Sequence, residues 1–417
     1  MLAYNYSMTT PPVLPVIVGA DISEYTIARL FHEAYGLRSL VINDFARGPV
    51  SDSRILDFRI VDKGTLMDPA RLIPLMQQIS ADNPGLTPIF LGNVDEPLEI
   101  AATHREELPG WFLPQPTPEV IARANDKAAL AELLESLGLH APQHVTMSLA
   151  DPDSWHAIDA LRAPLVVKTR SGADFFKNSK YGLDKVSVAE DHDAARALFA
   201  RVAQARVDLI VQELIPGDDT TQWVVNGYVT TRGRLAAIGS GQVLLGIHEP
   251  ELIGNAGIIY VREHPELIEQ AQRIIRKIGL TGFFSLDVKI DPRDGRIYWL
   301  DLNPRMGRGH YYLKVGGIDL ARIVVADALG KADDDDVVAR QTREGIFAIV
   351  PPLLANRNYI RDPHLRKQVR AARRNTVTPL DYRVDQHPKR VIFRLGSGLN
   401  YVRRMRKYYP TPTDSGF

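Results

Sequence analysis

The chain has no cysteine among its 417 residues. Disulfide frameworks, thiolate nucleophiles and Cys-based zinc sites are therefore excluded, and the composition fits a reducing, cytoplasmic setting. Neither charge sign is in excess, since Lys+Arg and Asp+Glu number 50 each. That leaves no global basic coat for nucleic acid and no acidic one for a basic partner. No apolar run approaches the roughly 18 residues that cross a bilayer, and the opening MLAYNYSMTTPP lacks the basic and apolar regions of a secretory signal. Three short signatures are missing as well: GxGxxG, GxxxxGK[ST] and HExxH. Their absence argues against a dinucleotide site, a P-loop and a zinc role for His248.

What is present is a chain long and apolar enough (45% hydrophobic) for two or three domains. LPVIVGAD (14–21) reads as a short buried strand. It is followed by a helix with Ile27, Leu30, Phe31, Ala34 and Leu37 at helical spacing, then by a second strand, RSLVINDF. This β-α-β start predicts an open, Rossmann-like α/β domain over 1–115. LPGWFLPQPTPEV, with four prolines in thirteen residues, marks its boundary. Over 116–335 the pattern is α+β. Asn125 or Asp126 caps a helix KAALAELLESLGL, strand-like pieces follow, and PELIEQAQRIIRKIGL is a second clear helix. An acidic tract, Asp333 to Asp336, reads as a solvated loop before a basic region, 336–417.

GFFSLDVKIDPRDGRIYWLDLN is a hairpin pattern around Asp291–Gly295. With that loop, Ile290 is expected opposite Arg296 and Asp287 opposite Trp299. Alternation then puts Asp287, Asp301 and Asn303 on one face. Two carboxylates and an amide oxygen, without imidazole or thiolate, form a hard oxygen set suited to Mg²⁺. Arg305 continues the same parity and is a candidate clamp for a carboxylate or phosphate.

Lys168 ends the apolar strand PLVVKTR and precedes a glycine-containing loop. A lysine there meets phosphate oxygens while the loop from Ser171 to Tyr181 serves as a lid. In LIVQELIPGDD, the backbone of Gln212, Glu213, Leu214 and Ile215 is suited to an adenine edge, and Asp218 or Asp219 to ribose hydroxyls. In GRGHYY, Arg308 and His310 are candidates for holding the acceptor or a substrate carboxylate.

In this order the pieces resemble the ATP-grasp superfamily of ligases. The resemblance implies an ATP-grasp fold in which two subdomains grip ATP with Mg²⁺, behind an N-terminal pre-grasp domain. It implies that Lys127 (in NDK) and Lys168 contact phosphates, that Gln212, Glu213, Leu214 and Ile215 line the adenine pocket, and that Asp219 binds ribose. It further implies Asp287, Asp301 and Asn303 as metal ligands, and Lys168 and Arg305 as catalytic groups. A narrower likeness, carried by VIVGADISEYTIARLFHEAYG, VQELIPGDD, GFFSLDVKIDPRDG and LNPRMGRGHYYLKVGGIDLARIVV, is to the D-aspartate ligase group of carboxylate–amine ligases. It implies an amide formed through an acyl-phosphate. The substrates implied are D-aspartate and the lysine side chain of an anionic muramyl-peptide precursor of peptidoglycan. Dipeptide synthesis and a carbamoyl-phosphate-type reaction are the neighbouring expectations, and a non-catalytic nucleotide- or RNA-binding protein is the expectation from another class.

From Arg357 to Lys407 there are fifteen Lys/Arg and three Asp, a net of +12, so the remainder of this neutral chain carries −12. Such a segment draws in an anionic acceptor or rests on an anionic membrane. Tyr359, Tyr382, Phe393 and Tyr401 lie within it, but no RNA-binding signature accompanies them, and no stable nucleic-acid partner is expected. A homodimer is the candidate assembly.

Overall fold

A computed structural model describes residues 10–170, 177–332 and 337–416. The acidic tract Asp333–Asp336 and the first part of the expected lid, 171–176, lie outside the described residues.

The chain opens with a four-stranded parallel sheet of β1 (Val13–Val18), β2 (Ser39–Asn43), β3 (Leu56–Ile60) and β4 (Thr87–Gly92), in the order β3-β2-β1-β4. Its apolar strands are covered by helices, as parallel strands buried on both faces require. The helix Ile22–Tyr35 starts at a capping box: Asp21 caps it, and Glu24 Oε2 accepts from the Asp21 N–H at 2.8 Å. Gly19, just before it, has φ +112°, and a side chain there would meet the Glu24 carboxylate. Strand order reverses between β1 and β4. Loops at the carboxyl ends of these two strands therefore border a crevice, the usual binding place in an open α/β sheet.

A small antiparallel sheet follows, made of β5 (His144–Ser148), β6 (Leu165–Thr169), β7 (Val186–Ala189) and β8 (Asp208–Glu213), in the order β5-β8-β6-β7. The large sheet comprises β9 (Gln222–Val229), β10 (Leu235–Ile247), β11 (Asn255–Val261), β12 (Gly282–Ile290), β13 (Ile297–Asn303), β14 (Gly345–Ala348) and β15 (Thr376–Val377). Their order is β13-β12-β9-β10-β11-β14-β15, antiparallel except between β14 and β15. Two strands from the basic C-terminal segment thus extend the same sheet. One face of β9, β12 and β13 packs Phe284, Leu286, Val288, Trp299 and Leu302 against the helices Lys127–Ser136 and Pro265–Ile278. Asp126 caps the first of these helices through the N–H groups of Ala128 and Ala129.

The β12–β13 register differs from the expected one. Ile290 pairs with Ile297, and Val288 with Trp299. A bulge between that pair and the next then brings Asp287 opposite Asp301 and Ser285 opposite Asn303. Trp299 consequently points into the core, its Nε1–H donating to Gln270 Oε1 at 2.9 Å. The expected common face of Asp287, Asp301 and Asn303 is recovered only because the bulge reverses the parity of β13 after Trp299. Alternation counted along an uninterrupted strand could not reveal it.

Candidate functional site

Asp301 receives two lysines from different elements. Lys127, in the first turn of its helix, bonds Asp301 Oδ1, and Lys168 on β6 lies 3.6 Å from Oδ2. Across the ladder, Asp287 is enclosed by the fields of Lys127, Arg305, Lys168 and Lys185. Burial outweighs these cations and lifts its pKa to about 6. The same burial lowers the pKa of Lys127, and lowers that of Lys168 further because Lys127 stands beside it. Cations crowded around two carboxylates at a sheet edge are suited to receiving more negative charge than the protein itself supplies.

Lys185 was not singled out in the sequence. It immediately precedes β7, its Nζ donates to Ile253 O at 3.0 Å, and burial lowers its pKa against the pull of Asp287. Its signal is weak: a lysine at a strand start after a glycine-containing loop.

Arg305 and Arg308 reach into the β1/β4 crevice. Arg305 bonds both carboxylate oxygens of Asp95, donates to Asn93 Oδ1 at 2.8 Å, and lies 3.4 Å from Asn303 Oδ1. Arg308 pairs with Asp21 at 3.2 Å, while its Nε is buried without a partner among the described residues. Asp21, Asn93 and Asp95 were also missed. Each sits just beyond a parallel strand, where only the strand order gives position a meaning. His310 is 1% exposed. Its Nδ1 accepts the Gly307 N–H at 2.7 Å and lies 2.6 Å from Asn226 Nδ2. Burial drives its pKa down to about 3, so the ring is neutral and organises the loop that presents Arg305 and Arg308.

At the other end of the site, β8 ends in Gln212 and Glu213. The N–H groups of Glu213 and Leu214 donate to Gln143 O and Pro164 O, and the Glu213 carboxylate accepts from the Arg162 N–H and lies 3.2 Å from its guanidinium. Ile215 is buried beside them. Asp218 is spent on its own turn, accepting from Thr220 N and Oγ1. Asp219 is different. One of its oxygens accepts from Gly246 N (2.8 Å) and pairs with His248 Nε2 (2.9 Å), while the other is buried without a partner among the described residues. An orphaned carboxylate oxygen is a place for a ligand hydroxyl. Lys289 connects the two ends. It lies two residues beyond Asp287 on the same face of β12, feels Asp219 and Asp218, and donates to Ser415 O at 2.9 Å.

The donor set at the sheet edge fits a divalent cation of the magnesium type. Asp287, Asp301 and Asn303 contribute only oxygen, two of them as carboxylates and one as an amide; among the described residues no group of three or more His, Cys, Asp or Glu is placed to hold a metal.

Residues 241–347 match the family described as "ATP-grasp in the biosynthetic pathway with Ter operon". The chain is 26% identical over 329 residues to a D-aspartate ligase of Enterococcus faecium, spanning 77% of this chain and 78% of that protein. Among solved structures it is similar to the ADP-bound N5-carboxyaminoimidazole synthetase of Staphylococcus aureus, with TM-score 0.57, 15% identity, and 83% and 84% of the two chains covered. It is also similar to the L-amino acid ligase of Bacillus licheniformis, with TM-score 0.56, 17% identity, and 82% and 81% covered. The fold is the ATP-grasp fold, which this chain shares with these synthetases and ligases. The sequence similarity to the D-aspartate ligase extends over most of both chains.

Proposed function

We propose that the protein is a carboxylate–amine ligase that activates a carboxylate of D-aspartate with ATP. The amine acceptor in this reading is the lysine side chain of an anionic muramyl peptide. The observation that carries it is the Asp287–Asp301 pair, ringed by Lys127, Lys168, Lys185 and Arg305. The same reading divides the chain into a pre-grasp domain (1–115), the grasp (116–335) and the basic region (336–417). Its setting is cytoplasmic.

Asp287, Asp301 and Asn303 would hold Mg²⁺, which neutralises charge on the nucleotide phosphates. Gln212, Glu213, Leu214 and Ile215 line the base. Asp219, whose second oxygen has no donor among the described residues, takes a ribose hydroxyl, whereas Asp218 is engaged in its turn. Lys127 and Lys168 exchange Asp301 for phosphate oxygens when nucleotide enters. Arg305 holds the substrate carboxylate in line with the γ-phosphate, and Arg308 takes a second carboxylate.

The carboxylate oxygen then attacks the γ-phosphorus, the bond to the β-phosphate oxygen breaks, and ADP leaves with that electron pair. The neutral amine attacks the acyl carbon of the resulting acyl-phosphate, the C–O bond to phosphate breaks, and the amine proton is lost as phosphate departs. What the chain supplies is positioning and fixed positive charge rather than covalent help. The labile acyl-phosphate must be kept from water until the amine attacks.

The test supplies purified protein with ATP, Mg²⁺ and a panel of D- and L-amino acids, with and without UDP-muramyl pentapeptide. Phosphate release that depends jointly on D-aspartate and the peptide is the expected result. Release with two free amino acids would instead make it a dipeptide ligase, and release with bicarbonate and an amine source a carbamoyl-phosphate-type enzyme.

A further inference from the structure

The C-terminal helix Pro388–Tyr408 is held along one side only. On that side Arg390 donates to Pro49 O and Ser51 O and lies 3.2 Å from buried Asp385. Phe393 lies against Gly48, Arg404 bonds Glu249, and Met405 enters the core with Ile360, Leu365 and Tyr409. These contacts fix which face looks outward. On the outward face Ile392, Leu395 and Leu399 are 71%, 61% and 74% exposed. They are separated by three and four residues and so form one stripe.

Cations bracket that stripe. Exposed Lys389, 3.6 Å from Asp52, lies before it, and exposed Arg403, Arg406 and Lys407 follow it. The helix has seven Lys/Arg and no Asp or Glu. Among the described residues no carboxylate pairs with Arg403, Arg406 or Lys407. The ring of Tyr408, 39% exposed, sits beside Lys407. Phe45, also exposed, extends from the loop that receives Phe393, with Arg47 over its ring. Three large aliphatic side chains left in water need a reason, because none of the contacts holding the helix uses them.

We propose that this outward face docks on an anionic lipid bilayer, with the helix lying in the headgroup plane. Charge decides between occupants. A second copy would bring the same acid-free cationic helix against itself, so like charges oppose that pairing. A groove on a protein partner is a weaker fit, because the cations stand at both ends of the apolar stripe rather than along one flank. A bilayer with anionic headgroups meets both demands at once: Ile392, Leu395 and Leu399 enter the acyl boundary while the flanking Lys and Arg stay at the headgroups. A 21-residue helix is about 31 Å long, enough to present the stripe and both cationic ends together. No helix among the described residues is long and apolar enough to cross a membrane, so the contact is peripheral. The net +12 of 357–407 against −12 elsewhere would turn this face toward an anionic surface.

The test sediments full-length protein with vesicles of phosphatidylglycerol and phosphatidylcholine, and with vesicles of phosphatidylcholine alone. The expected result is co-sedimentation with the anionic vesicles only, reversed by high salt. Ile392→Ser/Leu395→Ser/Leu399→Ser and Arg403→Gln/Arg406→Gln should each weaken it at least about tenfold, with circular dichroism and ATP turnover unchanged. Equal partition onto neutral vesicles would overturn the proposal, as would wild-type binding by both variants. So would a fall in solution mass of the triple serine variant by light scattering, which would make a second copy the occupant. Stripe-dependent binding to immobilised polyglutamate without vesicle binding would overturn it in favour of an acidic protein.

Discussion

Asp287 faces Asp301 across a two-stranded ladder only because one residue bulges out beyond Trp299. Paired regularly from Val288–Trp299, the ladder would set Leu300 opposite Asp287. The bulge sends Trp299 and Leu302 into the core while Asp301 and Asn303 share the other face with Asp287. Two carboxylates that close repel each other, and four surrounding cations make the pairing tolerable.

Asp301→Asn and Asn303→Ala should each lower kcat for ATP turnover by about 10²–10³, the usual cost of losing one preorganised charge-stabilising group. Thermal unfolding followed alongside should show a folded protein in both cases. Wild-type turnover in both variants would remove the metal assignment.

Asp287 makes stability and function pull in opposite directions. Its pKa of about 6 in the fold lies above its ordinary value of 3.8, so the folded chain binds that proton more tightly than the unfolded one. By this group alone, nucleotide-free protein gains stability as pH falls from about 6 towards 4, and the ionised form costs the fold about 3 kcal/mol at neutral pH. Asp287→Asn should therefore raise the melting temperature at pH 7.5 while abolishing turnover. In the wild type, Mg²⁺ affinity should fall as pH drops through about 6, because a protonated carboxyl is a poor ligand. Titration calorimetry across that range checks the slope.

Arg305→Lys keeps the charge and loses the fork that spans Asp95 and Asn93. Turnover should fall by about tenfold or more, with KM for the carboxylate substrate rising more than KM for ATP. An unchanged carboxylate KM would move Arg305 out of the substrate site.

Lys185→Met removes a cation whose field reaches Asp287 without removing a metal ligand. A drop in kcat/KM of about tenfold, or 1.4 kcal/mol, is expected. The pH at which Mg²⁺ binding is half lost should also move up, as Asp287 loses a partner that favours its ionised form. A purely structural lysine would leave that pH where it is.

Lys289 has its pKa lowered to about 8, chiefly by burial. Between about pH 8 and 10.5 the unfolded chain holds this proton and the folded chain does not, so stability from this group rises with pH across that window, by about 3 kcal/mol in all. Lys289→Met should flatten that rise in urea unfolding measured at pH 8, 9 and 10.

Three helices, the first two strands and the β12–β13 hairpin were legible because their signals are local, whereas the helices Pro69–Asp82, His192–Val202 and Pro388–Tyr408 were not read from the sequence. Asp126 caps the helix after NDK, Gly279 ends the helix Pro265–Ile278 in a left-handed conformation, and Gly295 turns the hairpin. The order of Lys127, Lys168, the QELIPGDD hinge and the Asp-x-Asn strand was enough to point to the ATP-grasp class. Register was less legible. A bulge leaves no mark in residue type, so the pairing of Asp287 with Trp299 was a reasonable expectation and did not survive. Lys185, Asp21, Asn93 and Asp95 matter only by where the chain returns in space, which no spacing rule carries.

By itself, then, the sequence determined the chemistry available: acids and an amide that offer only oxygen, lysines and arginines that offer positive charge, and no thiol. It also fixed the ordering of elements that makes a grasp. Tertiary structure alone decided which side of β13 those acids occupy, that Asp219 rather than Asp218 keeps an unsatisfied oxygen, and that His310 is buried and neutral while Arg308 meets Asp21. The reason is physical. Residue type sets what a side chain can do, whereas burial, register and neighbouring charge set whether it is ionised, aimed and free to do it.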